Sequence, residues 1–167
     1  SGTTGEPKGV MLHHSNYNAQ WKVHMDVLPQ LHLPNQVSMN FLPLTHVFER
    51  AWTFLCFESG IEVCINTDPH VISRSLQEIH PTMMCSVPRF WEKVFDGVQA
   101  KIAAMSPIMQ SVVRNALEVG RQYNVYYVMK QKSAPLGLSL RYKLYNKLIF
   151  QTLKRAIGLE RGTLFPT

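Results

Sequence analysis

Short apolar runs alternate with longer mixed stretches along the first half of the chain, and the two patterns predict strands and helices respectively. Ser15 or Asn16 can cap a helix running to about Leu28, after which Pro29 and Pro34 bracket a short connection. Residues 37–42 (VSMNFL) read as a strand. Thr45 is placed to cap a helix through THVFERAWTFLCFES, which Gly60 ends. A second strand, rich in β-branched residues, follows at 61–65. Asp68 and Pro69 start another helix, VISRSLQEI, and Pro81 stops it before a third apolar strand, TMMCSVP. Strand, helix, strand, helix, strand at this spacing predicts an α/β fold of parallel strands joined by right-handed crossover helices.

From Arg89 onward the pattern is helical alone, to about Met105, from Pro107 to about Met129, and from Leu138 to Ile157, with Pro107, Pro135 and Gly137 at the breaks. The chain thus divides into an α/β part over 1–88 and a mainly helical part over 89–160. It reads as one incomplete piece of a larger domain, because Ser1 opens on a glycine-rich loop without a preceding strand and GTLFPT reads as a strand beginning. In the last helix Leu144, Leu148, Ile149, Leu153, Ala156 and Ile157 share a face, expected to be the packed one. Arg141, Lys147, Lys154 and Arg155 fall largely elsewhere, which makes the helix amphipathic and basic.

The net charge of +6 conceals an asymmetry. Residues 1–100 hold six Lys/Arg against nine Asp/Glu, a net −3, and residues 101–167 hold eleven against two, a net +9. A basic third of this kind suits nucleic acid, an anionic membrane surface or a phosphate-bearing substrate, or is a solvated helix face. At 46% hydrophobic residues the composition is that of a globular protein, and no apolar run approaches the roughly 20 residues that cross a bilayer. Cys56, Cys64 and Cys85 lie apart in apolar segments, which predicts reduced, buried thiols rather than a metal site or disulfides.

The chemistry concentrates in Ser1-Gly2-Thr3-Thr4-Gly5-Glu6-Pro7-Lys8-Gly9-Val10. The glycines let main-chain N–H groups approach an anion, the hydroxyls of Ser1, Thr3 and Thr4 add donors, and Lys8 adds a compact positive charge. Together they make a cradle for phosphate oxygens. Lys8 is followed by Gly9 rather than Ser or Thr, so the order is not that of the P-loop, and the glycine spacing is not that of the dinucleotide fingerprint.

This loop closely resembles the signature of the adenylate-forming superfamily, which includes acyl-CoA synthetases, luciferases and the adenylation domains of peptide synthetases. Residues 40–50 (NFLPLTHVFER) and 86–94 (SVPRFWEKV) are similar to further motifs of the long-chain fatty acyl-CoA synthetases within it. The resemblance implies part of an acyl-CoA synthetase-like N-terminal domain. It implies that Ser1, Gly2, Thr3, Thr4, Gly5 and Lys8 hold the β- and γ-phosphates of ATP, with Thr4 at the metal, and that His46 is catalytic, near the nucleotide phosphates and the acyl carboxylate. Glu49, Arg50 and Arg89 are weaker candidates, and Phe90 and Trp91 read as core.

The implied reaction has two steps. A fatty acid carboxylate attacks the α-phosphorus of ATP and releases pyrophosphate, and the CoA thiol then displaces AMP from the acyl-adenylate, with Mg²⁺ sharing the phosphate charge. The family's aromatic-Gly-x-Thr-Glu stretch, its Thr-Gly-Asp segment and its later catalytic Lys are absent from the sequence, so the chain alone is expected to be inactive. The expected partners are small molecules rather than nucleic acid, in the cytoplasm, with peripheral contact at the inner face of a membrane as an option. A reading from another class is a lipid- or membrane-surface module built on the basic helices after residue 100.

Overall fold

The computed structural model describes residues 9–167. Its framework is a parallel pair, β1 (Val37–Asn40) and β2 (Glu62–Ile65), in a register that sets Val37 opposite Glu62 and Asn40 opposite Ile65. Helix α2 (Val47–Glu58) connects them, and Gly60 turns the chain into β2 with φ of +66°, a left-handed conformation that glycine adopts without strain. The third expected strand is an extended segment rather than a full strand. Met83 makes one parallel bridge to Ser38 and another to Leu164, giving the order β2, β1, residues 82–86, residues 163–166. The ladder is interrupted where the Thr82 hydroxyl, instead of a backbone group, accepts from Val37 N at 2.9 Å.

Side chains alternate across this sheet as a pleated backbone demands. On one face Met83, Cys85, Trp52, Leu55, Cys56, Ile61 and Leu31 form a buried core, which Trp21, Met25 and Leu164 complete. Trp21 and Met25 come from α1 (His14–Val27), which packs on α2 with Tyr17 edge-on to Phe54 at 5.0 Å. On the other face Met39, Met84, Leu76 and Leu159 form a second core, flanked by Phe41, Phe90, Trp91 and Phe165. Two helical layers therefore enclose the sheet.

Helix α3 (Ile72–Ile79) begins three residues later than Pro69. Asp68 spends its side chain on the lead-in turn, where Oδ1 accepts from His70 N at 2.8 Å. Helix α4 (Pro88–Ala103) starts on proline, whose missing N–H costs nothing in a first turn. Ser106 caps α5 (Pro107–Tyr123), which runs on into a π-helical turn, Asn124–Val128. The expected single last helix is three pieces: α6 (Leu136–Tyr145), a π-helical turn (Asn146–Phe150) and α7 (Gln151–Ile157). Tyr123 stacks on Tyr142 at 4.1 Å and 5°, and Phe150 sits where a Cβ on Gly120 would stand.

That π-helical turn changes which residues face inward. Ile149, Phe150, Leu153 and Ile157 are half-buried, while Leu144 and Leu148 stay 56% and 61% exposed, so the expected packed face is only partly realised.

Candidate functional site

The carboxyl ends of parallel strands are where open α/β sheets bind ligands. Here that edge comprises the turn after Asn40, the segment after Ile65, and residues 86–89. The turn is fixed from below by a buried relay of side chains. Trp52 Nε1 donates to Ser38 Oγ (2.9 Å), Ser38 Oγ to Asn40 Oδ1 (2.6 Å), Asn40 Nδ2 to Thr53 Oγ1 (2.6 Å), and Thr53 Oγ1 to the Glu49 carbonyl (2.8 Å). Each donor in the relay is used once, and the chain of bonds clamps α2 to β1. The position of the first turn of α2 is therefore inherited from the sheet.

His46 stands at that first turn. It, rather than Thr45, is the N-cap: its Nδ1 accepts from Phe48 N at 3.3 Å, and its N–H donates to Pro43 O at 2.9 Å. Accepting through Nδ1 places the imidazole proton, in the neutral ring, on Nε2. The side chain is exposed at the strand edge, so Nε2 can reach a ligand there.

One turn on, Glu49 is completely buried, and neither carboxylate oxygen has a hydrogen-bond partner among the described residues. Burial pushes its carboxyl up from 4.5 to about 7. The backbone N–H groups of Leu42 and Phe41 pull the other way without coming into hydrogen-bond geometry. Arg50 Nε and Asn66 Nδ2, at the same edge of the sheet, are likewise buried without partners among the described residues. Sequence reasoning placed Glu49 and Arg50 low and missed Asn66. The one signal for them was an acid and a base side by side at the start of an otherwise apolar helix.

Ser1, Gly2, Thr3, Thr4, Gly5 and Lys8, the expected phosphate cradle, lie outside the described residues, as does the expected metal position at Thr4. Of the expected site residues the structure thus places His46 alone. Arg89 is exposed in the first turn of α4, and Phe90 and Trp91 pack on the second core, Trp91 Nε1 donating to Ser86 Oγ at 2.9 Å. Among the described residues no group of three His, Cys, Asp or Glu could hold a metal ion, and no helix is long and apolar enough to cross a membrane.

The model of the AMP-binding enzyme family matches residues 1–148. The chain is 30% identical, over 98% of its length, to a Xenopus laevis protein named long-chain-fatty-acid–CoA ligase ACSBG2. It is 28% identical, over 95% of its length, to long-chain-fatty-acid–CoA ligase 5 of Rattus norvegicus and to the peroxisomal long chain acyl-CoA synthetase 7 of Arabidopsis thaliana. The chain spans 22%, 22% and 21% of the lengths of these three relatives. No solved structure matches it.

Proposed function

Because the chain belongs to the AMP-binding enzyme family, we propose that it is the phosphate-gripping and acyl-facing part of an ATP-dependent long-chain fatty acid–CoA ligase. The carrying observation is the edge at β1, where His46 is exposed and where, among the described residues, Arg50 Nε and Asn66 Nδ2 are buried without partners. A guanidinium N–H and an amide N–H without acceptors among the described residues suit an anionic ligand, which a fatty carboxylate and a triphosphate both are.

In the proposed reaction the carboxylate is ionised at neutral pH and needs no base to attack the α-phosphorus. The protein's task is to hold the reactants in line and to stabilise charge on departing pyrophosphate. The amides and hydroxyls of residues 1–5 and the Lys8 ammonium are assigned the phosphates, and His46 Nε2 the oxygens gathered at the strand edge. Mg²⁺ would arrive on the triphosphate and keep several waters, so it needs few protein ligands, Thr4 being the one assigned. CoA enters only in the second step, as its thiol displaces AMP. A cytoplasmic setting belongs to the same proposal.

The experiment is an assay of thioester formation from palmitate, ATP, Mg²⁺ and CoA by the whole gene product. Lys8→Ala is expected to lower kcat by roughly 10²-fold or more, the scale on which a lost donor to developing charge acts. His46→Asn keeps a capping side chain and isolates the imidazole, with kcat expected to fall about tenfold or more at unchanged melting temperature. Full activity in both variants would sink the site assignment.

One observation favours a second reading, a membrane-surface role. Leu136, Leu140, Leu144 and Leu148, four residues apart, are 84%, 66%, 56% and 61% exposed, with Arg141, Lys143 and Lys147 among them. An apolar stripe bordered by cations suits an anionic lipid interface. It predicts salt-sensitive binding to phosphatidylserine vesicles that survives Lys8→Ala, and no binding at low ionic strength would end it.

A further inference from the structure

Helices α1 and α2 pack side by side over the first core, and a pocket of about 270 Å³ opens between them, the size of a head group rather than of a whole large ligand. Its walls are aromatic. Tyr17 and Trp21 stand four residues apart on α1, and Phe54 and Phe57 three apart on α2, so each pair shares one face of its helix, and both faces line the pocket. Tyr17 and Phe54 lie at 80° to each other with centroids 5.0 Å apart, which makes a corner instead of a flat stack. Phe54 and Phe57 stay exposed, so ring surface is left over for a ligand.

The fixed charge on this lining has one sign. Glu58, in the last turn of α2 and four residues from Phe54, is its only carboxylate, beside the polar His14 and Asn18. Among the described residues no lysine or arginine lines the pocket, and none pairs with Glu58. Aromatic faces carry the negative part of the ring quadrupole, so rings and carboxylate attract the same thing, a cation. A primary ammonium would have to give up strongly held water to enter an aromatic corner. A quaternary ammonium has no N–H to leave unsatisfied, and its methyl groups gain from contact with the rings.

We propose that this pocket binds a quaternary ammonium group of the choline type, its methyl groups against Tyr17, Trp21, Phe54 and Phe57 and its charge beside Glu58. The site uses neither the phosphate loop nor the strand edge at His46, so it stands or falls separately from the ligase reading.

The test is calorimetric titration of the 167-residue chain with choline and with 3,3-dimethylbutanol, which has the same shape with carbon in place of the charged nitrogen. Saturable one-to-one binding of choline is expected, about tenfold or more tighter than that of the alcohol. Phe57→Leu keeps apolar bulk and removes a π face, and Glu58→Gln removes the charge. Both side chains are exposed, so each variant is expected to keep its melting temperature and its affinity for the alcohol while binding choline about threefold or more weakly. ATP is expected not to displace choline. Retention of the chain on phosphatidylcholine vesicles, lost in Phe57→Leu, would make a lipid headgroup the source of the ligand, and choline binding without retention a soluble choline compound. No saturable choline binding, equal affinity for the alcohol, choline affinity unchanged by either substitution, or displacement by ATP would overturn the proposal.

Discussion

A completely buried carboxyl without a partner among the described residues dominates the chemistry at the residue scale. Glu49 keeps its proton up to about pH 7 in the folded chain, whereas the unfolded chain releases it near 4.5. The folded state therefore binds more protons between these values, and the stability that goes with a neutral Glu49 is complete below about 4.5 and lost as pH rises through 7. The upper limit of that loss is on the order of 3–4 kcal/mol. Melting temperature is expected to fall from pH 5 to pH 8, and Glu49→Gln, which removes the ionisation, to flatten the profile and melt higher than the parent at pH 8. A Gln variant with the parental slope would place the pH dependence elsewhere. The three thiols follow the same desolvation logic: burial raises Cys56 to about 11 and Cys85 further, while Cys64 is only half-buried. Since the thiolate is the nucleophile, iodoacetamide at pH 8 is expected to modify Cys64 first and the other two only on unfolding, as mass mapping of the labelled peptides would tell.

At the scale of elements, the relay from Trp52 to Glu49 O joins β1 and α2 more specifically than apolar contact can. Asn40→Ala removes an acceptor for Ser38 and a donor to Thr53 in a fully buried place, and is expected to cost about 2–3 kcal/mol in urea unfolding. Gly158→Ala is expected to cost a similar amount, about 2–3 kcal/mol, because its φ is +79° and its Cβ would run into Leu76 O. The elements differ in how readable they were. The strands at 37–40 and 62–65 are legible as short stretches bounded by turn residues, and Pro88 and Pro107 mark helix starts where the structure has them. The third strand was overread because apolar content reports burial on two faces, not pairing, and a side-chain hydroxyl takes one rung of its ladder. The relay itself was illegible, since Ser38 and Asn40 look like interruptions of a strand until Thr53 and Trp52 are opposite them. The π-helical turns were equally hidden, because they shift the phase of a pattern that assumes 3.6 residues per turn.

At the scale of the whole molecule, identity and activity separate. Some of the motifs that mark the family are short and local, so a chain spanning about a fifth of its relatives' length still matches the family over residues 1–148. Adenylation depends on the opposite kind of property, because a carboxylate and an α-phosphorus must be held in line with donors on several sides of the departing pyrophosphate. The described residues contribute one edge of a sheet, with His46 exposed on it and the Arg50 and Asn66 donors unsatisfied. A site open on its other sides leaves the reactants hydrated and free to rotate, and each missing preorganised donor costs roughly 10²–10³ in rate. We therefore expect palmitate-dependent pyrophosphate release by the 167-residue chain alone to stay at background, even at saturating ATP and Mg²⁺. Palmitoyl-CoA detected by mass spectrometry in that reaction would mean that one strand edge and its loop suffice for catalysis, and would overturn the division of labour proposed for this chain.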